Sequence, residues 1–198
     1  MKKSLLATAV LCALTSGAAM AQQAEGPWMV RARAAFLQSA NGDSAGLGTT
    51  INDKWLPELD ISYFFTKNVA AELILTVPQQ HNVAIRTLGG HVGTLKHLPP
   101  TLTLQYHFDA SGFRPYVGAG VNFTSFSDVE IPGYDVNRKS WGGAFQVGVD
   151  IPIAKNTYLN LDLKKLYIAT DINTTAGVKA TTFSIDPLLF GIGVGWRF

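Results

Sequence analysis

"HLPPTLTLQYHF", residues 97–108, carries the sharpest pattern in the chain. From Thr101 to Phe108 the side chains alternate as Thr, Leu, Thr, Leu, Gln, Tyr, His, Phe. A period of two describes a strand with one polar and one apolar face. Pro99 and Pro100 stand at its head. Neither has an N–H to give to a ladder, so pairing with a neighbouring strand breaks there. A sheet protein with a deliberate interruption at the top of one strand is the first expectation.

Working outward, eight segments alternate in this way, near residues 28–38, 54–65, 69–79, 98–108, 115–126, 140–151, 158–168 and 182–198. Thr66-Lys67-Asn68, Asp109 to Arg114 and Pro152 to Thr157 connect them briefly. The stretches near 39–53, 80–97, 127–139 and 169–181 are long, polar and rich in Gly, Asn, Thr and Asp, and read as loops. Short turns at one end and long loops at the other fit an all-β fold: an eight-stranded antiparallel transmembrane barrel, turns periplasmic and loops extracellular. The charges share one face. Arg31 and Arg33 alternate with Val30, Ala32 and Ala34; Glu58, Asp60 and Ser62 with Leu59, Ile61 and Tyr63; Asn160, Asp162 and Lys164 with Leu159, Leu161 and Leu163. A soluble barrel would turn its apolar face inward and its charges out; a membrane barrel reverses this.

The chain begins MKKSLLATAVLCALTSGAAMA. A basic start, a short apolar run and Ala19-Met20-Ala21 make residues 1–21 a secretory signal peptide with cleavage after Ala21. Its apolar run falls short of the ~20 residues a membrane helix needs. Cys12, the only cysteine, would leave with it, so no disulfide is expected. Without Lys2 and Lys3, the 16 basic residues fall to 14 against 14 acidic ones. That balance does not point to nucleic acid. Residues 22–198 are expected to form the barrel domain, in the outer membrane of a Gram-negative cell.

The last residues, Gly195-Trp196-Arg197-Phe198, put Trp196 and Phe198 on the outer face and Arg197 inside. A terminal aromatic suits the interfacial girdle of such barrels. With "HLPPTL" at 97–102, "FRPYVGAGVNFT" at 113–124, "SWGGAFQVGVD" at 140–150 and the closing "GWRF", the chain resembles the OmpW family of small outer-membrane proteins along the whole mature sequence. The resemblance implies an eight-stranded barrel with an apolar lumen and uptake of small, often hydrophobic molecules. It brings no catalytic residues. It also implies a bulky apolar residue near Lys164, where this chain has a lysine.

Alternation and depth suggest what the lumen holds. Arg31, Arg33, Glu58, Asp60, Glu72, His107, Asp150, Asp162 and Arg197 are expected to form a polar plug in the periplasmic half and near mid-height. Opposite charges confined there should pair, because an unpaired buried charge is very costly. Gly118, Gly120, Gly191, Gly193 and Gly195 would leave room for the long side chains. Leu37, Ile74, Thr76, Leu98, Phe126 and Leu189 are the inward candidates above, an apolar pocket open to the outside. Ile74 and Lys164 are expected at the constriction between pocket and plug. Leu98, Pro99 and Pro100 mark a lateral opening at the upper wall. Pro187 is expected to force a bulge that could change the facing of Asp186 and earlier residues.

The functional expectation is a channel for small, mainly hydrophobic molecules; a structural, adhesive or receptor barrel without transport is the alternative. An enzyme would need a nucleophile with a base in reach, and no serine sits with His81, His91, His97 or His107 at strand spacing. The spacings of ten and six residues among the first three histidines match no compact metal motif. No cofactor is expected. The expected partners are outer-membrane lipid and lipopolysaccharide, small hydrophobic solutes, and the barrel-assembly machinery during insertion.

Overall fold

Each alternating segment has one apolar face to offer to lipid and one polar face to hide, and eight such segments close into a barrel. The computed structural model describes residues 26–198, so the proposed signal peptide lies outside the described residues. The wall strands are β1 (Trp28–Gln38), β2 (Lys54–Phe64), β3 (Val69–Thr76), β4 (Thr101–His107), β5 (Arg114–Glu130), β6 (Lys139–Ala154), β7 (Thr157–Leu166) and β8 (Leu188–Arg197). Every pair of chain neighbours is antiparallel, and β8 returns to β1 through Ala32↔Val194, so the wall has no free edge.

Alternation assigns the faces. Leu73, Leu102, Leu104, Val121, Phe145, Val147 and Leu161 are exposed on the outside, while Arg31, Asp60, Glu72, Thr103 and Asn160 are buried inside. Aromatic pairs band the barrel at two heights. Trp28–Tyr63, Tyr63–Phe65 and Tyr106–Phe108 lie at the turn end; Phe36–Trp55 and Phe123–Trp141 lie at the other. Trp28 and Phe36 are eight residues apart on β1. At ~3.4 Å per residue and a tilt near 40°, they are about 20 Å apart along the barrel axis, close to the height of an outer-membrane apolar band.

The four stretches read as long loops instead contain much β structure. Gln79–Ile85 and Gly90–Leu98 form a hairpin that pairs with the top of β5 and with Thr49–Ile51. Tyr134–Val136, Ala169–Thr174, Lys179–Ser184 and Gly42–Asp43 form a second, four-stranded sheet. The reason is a quieter alternation inside polar sequence: Gln79, His81, Val83 and Ile85 are buried in turn, as are Thr181, Phe183 and Ile185. The hairpin closes through Gly89 and Gly90, whose φ values of 88° and 113° favour a residue without Cβ.

The segment expected at 182–198 is two strands, broken at Ile185–Pro187, with Asp186 at φ 37°. Its facing does not switch. Thr181, Phe183, Ile185, Pro187 and Leu189 are all buried, and Asp186 is half-buried, its Oδ1 accepting from the Ile168 amide at 2.8 Å.

Candidate functional site

The lower lumen is one connected ion-pair network. Arg31 Nη2 is 2.7 Å from Asp150 Oδ2, and its Nη1 reaches Glu72 at 3.1 Å and Asp60 at 3.3 Å. One step higher, Arg33 Nε meets Glu58 at 2.7 Å and Nη2 meets Asp60 at 2.5 Å. Lys164 Nζ lies between Glu58 at 2.8 Å and Asp162 at 2.5 Å. The chain provides space for these cations. A Cβ at Gly193 would fall 2.6 Å from Arg33 Cγ, and one at Gly195 3.0 Å from Arg31 Cγ.

Uncharged groups fill the remaining valences, as a dry interior requires. The Tyr116 hydroxyl donates to Asp162 at 2.7 Å, and Gln105 Nε2 donates to Glu72 at 2.7 Å. His107 Nε2 is 3.0 Å from Gln105 Oε1, and its Nδ1 is 3.9 Å from Asp150. Tyr116 went unnoticed in the sequence, although it shares the phase of Gly118 and Gly120 on β5. Arg197 departs from the expected plug. It sits at the turn end, its guanidinium 3.8 Å from the Phe64 ring centre and Nε donating to Gly26 O at 2.9 Å. A flat cation at the last strand position reaches a ring more readily than the carboxylates near mid-height.

Directly above the network lies a cavity. Glu58 and Lys164 belong to its lining at the plug end. Leu37, Leu56, Ile74, Leu75, Thr76, His97, Pro99, Thr101, Leu166, Ile168, Pro187 and Leu189 line the rest. It has room for about one water molecule. Of the expected pocket residues, Leu37, Ile74, Thr76 and Leu189 line it, and Lys164 meets Ile74 there. Leu98 does not: it is half-buried with outward phase, because His97 and Pro99 on either side face in. Phe126 is buried but lies above, in an apolar cluster with Leu95, Ile131, Ile172, Phe183 and Ile185. That cluster fills the top of the lumen, so the pocket is not open to the outside as expected. The inward side chains of the outer sheets cap it. His97, Leu56 and Ile168 continue the inward alternation of Thr101, Glu58 and Lys164 on their own segments, a signal that was present in the sequence but was not followed.

The wall beside the cavity is interrupted. Pairing of β3 with β4 runs from Val69↔Tyr106 to Ile74↔Thr101 and stops. Continued, that register would set Thr76 opposite Pro99. Pairing resumes above at Gln79↔His97, one residue out of step. No ladder pair joins residues 75–78 to 98–100, and Pro78, Pro99 and Pro100 all lie there. On the other side the prolines are held: Phe123 N donates to Pro100 O at 3.0 Å, and Asn122 Nδ2 to Pro99 O at 3.2 Å. Phe123 belongs to the upper aromatic band, so the break lies at its height. Outward-facing Leu75 shares the cavity lining with inward Ile74 and Pro99. The cavity therefore reaches into the break.

The OmpW family pattern matches residues 24–198. The chain belongs to the OmpW family. It is 35% identical over 220 residues to Outer membrane protein W of Vibrio cholerae, across all of both chains. It is 33% identical over 159 residues to a dibenzothiophene metabolism operon protein of Pseudomonas aeruginosa, covering 76% of this chain and 68% of that one. The crystal structure of the outer membrane protein OprG from Pseudomonas aeruginosa superposes with a TM-score of 0.77 at 27% identity, covering 88% of this chain and 97% of the other. As an OmpW family member the protein is an outer-membrane β-barrel.

Proposed function

We propose that this barrel carries small, mainly apolar molecules through the lipopolysaccharide leaflet and releases them sideways into lipid. The observation that carries this is the cavity above a closed ionic plug, meeting the wall where three prolines stop the ladder. The plug opposes a straight path to the periplasm. An apolar molecule that reaches Ile74 and Leu189 has a shorter route between residues 75–78 and 98–100. A relative named for a dibenzothiophene metabolism operon is consistent with an apolar cargo. The role is transport, not catalysis. Its partners are outer-membrane lipid and lipopolysaccharide, the small solutes and, during insertion, the barrel-assembly machinery meeting the terminal aromatic strand.

One observation favours a structural, adhesive or receptor barrel: the apolar cluster around Phe126 and Phe183 fills the lumen above the cavity. A single measurement separates the two. In vesicles with a lipopolysaccharide outer leaflet, the wild-type barrel should speed entry of an apolar solute such as naphthalene. Pro99→Val with Pro100→Thr, which restores one donor toward the break and one toward β5, should slow it while raising thermal stability. No acceleration by the wild type supports the structural barrel. A wild-type rate in the correctly folded double variant rejects the lateral route and leaves the prolines as strand punctuation.

A further inference from the structure

The apolar cavity contains one polar side chain whose hydrogen-bonding capacity the fold does not use. Among its lining residues, Glu58 and Lys164 are paired with each other. Thr76 Oγ1 donates to Pro57 O at 2.6 Å, and Thr101 Oγ1 donates to Pro99 O at 3.1 Å. His97 is different. It is fully buried, and neither Nδ1 nor Nε2 has a hydrogen-bond partner. A buried donor or acceptor without a partner is destabilising, and here one imidazole leaves both. Apolar residues would fill the site more cheaply.

The ring is fixed in place. His81 stacks on it with centroids 4.7 Å apart and planes 6° apart, and Phe126 meets it edge-on at 6.3 Å. His81 Nδ1 is 3.0 Å from the Asn52 carbonyl. A carbonyl only accepts, so that nitrogen carries the His81 proton. Burial lowers the His97 pKa to about 3, so its ring is neutral at pH 7. A neutral imidazole offers one N–H and one lone pair, the complement of a hydroxyl, which also donates once and accepts once. An ionic head group would gain no free counter-charge, because Lys164 and Glu58 already neutralise each other.

Building on the uptake role proposed above, we infer that the cavity prefers solutes carrying one neutral hydroxyl on an apolar body, and that His97 is the residue that recognises the hydroxyl. Leu37, Ile74 and Leu189 take the apolar body; the imidazole takes the head. Since the cavity holds about one water, admission of a ring requires the leucine rotamers to move, while the stacked His97 keeps its place.

Phenol and toluene test this, being alike in size and shape and differing in the hydroxyl. The full barrel is placed in lipid nanodiscs with 15N in the histidine rings and 13C in the leucine methyls. Phenol should shift both ring nitrogens of His97 together with the Leu37 and Leu189 methyls. Toluene should shift the methyls alone. Phenol should occupy the cavity about three- to tenfold more tightly, the worth of one neutral hydrogen bond. His97→Gln should keep the preference and His97→Leu should abolish it, each checked for native heat-modifiable mobility. If phenol moves the methyls but not the His97 nitrogens, or if the preference survives in His97→Leu, the inference is overturned and the apolar cavity stands. If neither solute moves the methyls, the uptake role itself fails. The wild-type spectra decide between these outcomes even if a variant does not fold.

Discussion

Lys164 shows how much one side chain holds together. Its ammonium bridges Glu58 and Asp162 in a site closed to solvent. Replacing one partner of a buried pair strands the others, at a cost of ~3–5 kcal/mol. Lys164→Leu is therefore expected to lower the urea midpoint of the folded barrel sharply, and adding Glu58→Gln should recover part of the loss. Equal stability of Lys164→Leu and wild type would mean that the carboxylates find other partners. The stacked histidines respond to pH. They lie above the upper aromatic band, where burial lowers His81 to about 4 and His97 to about 3. Lys54 adds to the depression of both, and Asp53 opposes it at His81. Both folded values lie below the unfolded value near 6.5, so the unfolded chain binds more protons. Their contribution is complete above pH 6.5 and is lost as pH falls toward 4 and then 3. Urea midpoints at pH 7 and pH 4.5 should differ more in the wild type than in His81→Gln/His97→Gln; an equal difference would exclude these rings as the source.

At the scale of elements, the strand phase decides which substitutions the membrane resists. Val147 on β6 and Leu161 on β7 lie opposite each other's neighbours on the lipid face, and both are exposed. Arginine at either, between the aromatic bands, should cost ~2–4 kcal/mol in refolding titrations into lipid. Arginine at exposed Val178, beyond the wall strands, should cost far less, and a reversed ranking would invert the assigned faces. This phase was legible in the sequence because a residue's face follows from local alternation. The wall strands, the inward charges and the proline break could all be placed from it. The outer sheets were not read, since Gly, Asn and Thr masked the alternation of His81, Val83 and Ile85. Nor could local phase show that Gln79 pairs with His97, one step out of register with β3 and β4. That slip turns Gln79 and His81 inward where Glu72 and Ile74 hold the inward phase below, while His97 and Pro99 keep the phase of Thr101 and Thr103 on their own segment. The stacking of His81 on His97 is likewise a product of pairing between segments that the sequence keeps apart.

At the scale of the whole molecule, the barrel is sealed twice by different chemistry. Below the cavity the seal is ionic: Arg31, Arg33 and Lys164 tie together carboxylates from β2, β3, β6 and β7. Above it the seal is apolar, with Phe126, Ile168, Ile172, Phe183 and Ile185 packed between the two outer sheets. Dispersion contacts exchange partners without leaving a charge unpaired, whereas an ion network opens only by stranding one. For the uptake role proposed above, the upper seal is thus the one a solute would part. Phe183 is the place to test it, being fully buried on a strand outside the wall. Phe183→Ala should leave a cavity in the cap and cost ~3–5 kcal/mol where the fold does not relax. Because the plug is untouched, ion conductance across planar bilayers should stay at the wild-type level. Entry of an apolar solute through a lipopolysaccharide leaflet should nevertheless quicken, since removing the ring lowers the work of separating the sheets. A variant that conducts ions more freely would put the plug and the cap in one cooperative unit. A folded variant with unchanged solute entry would place the way in somewhere other than the cap.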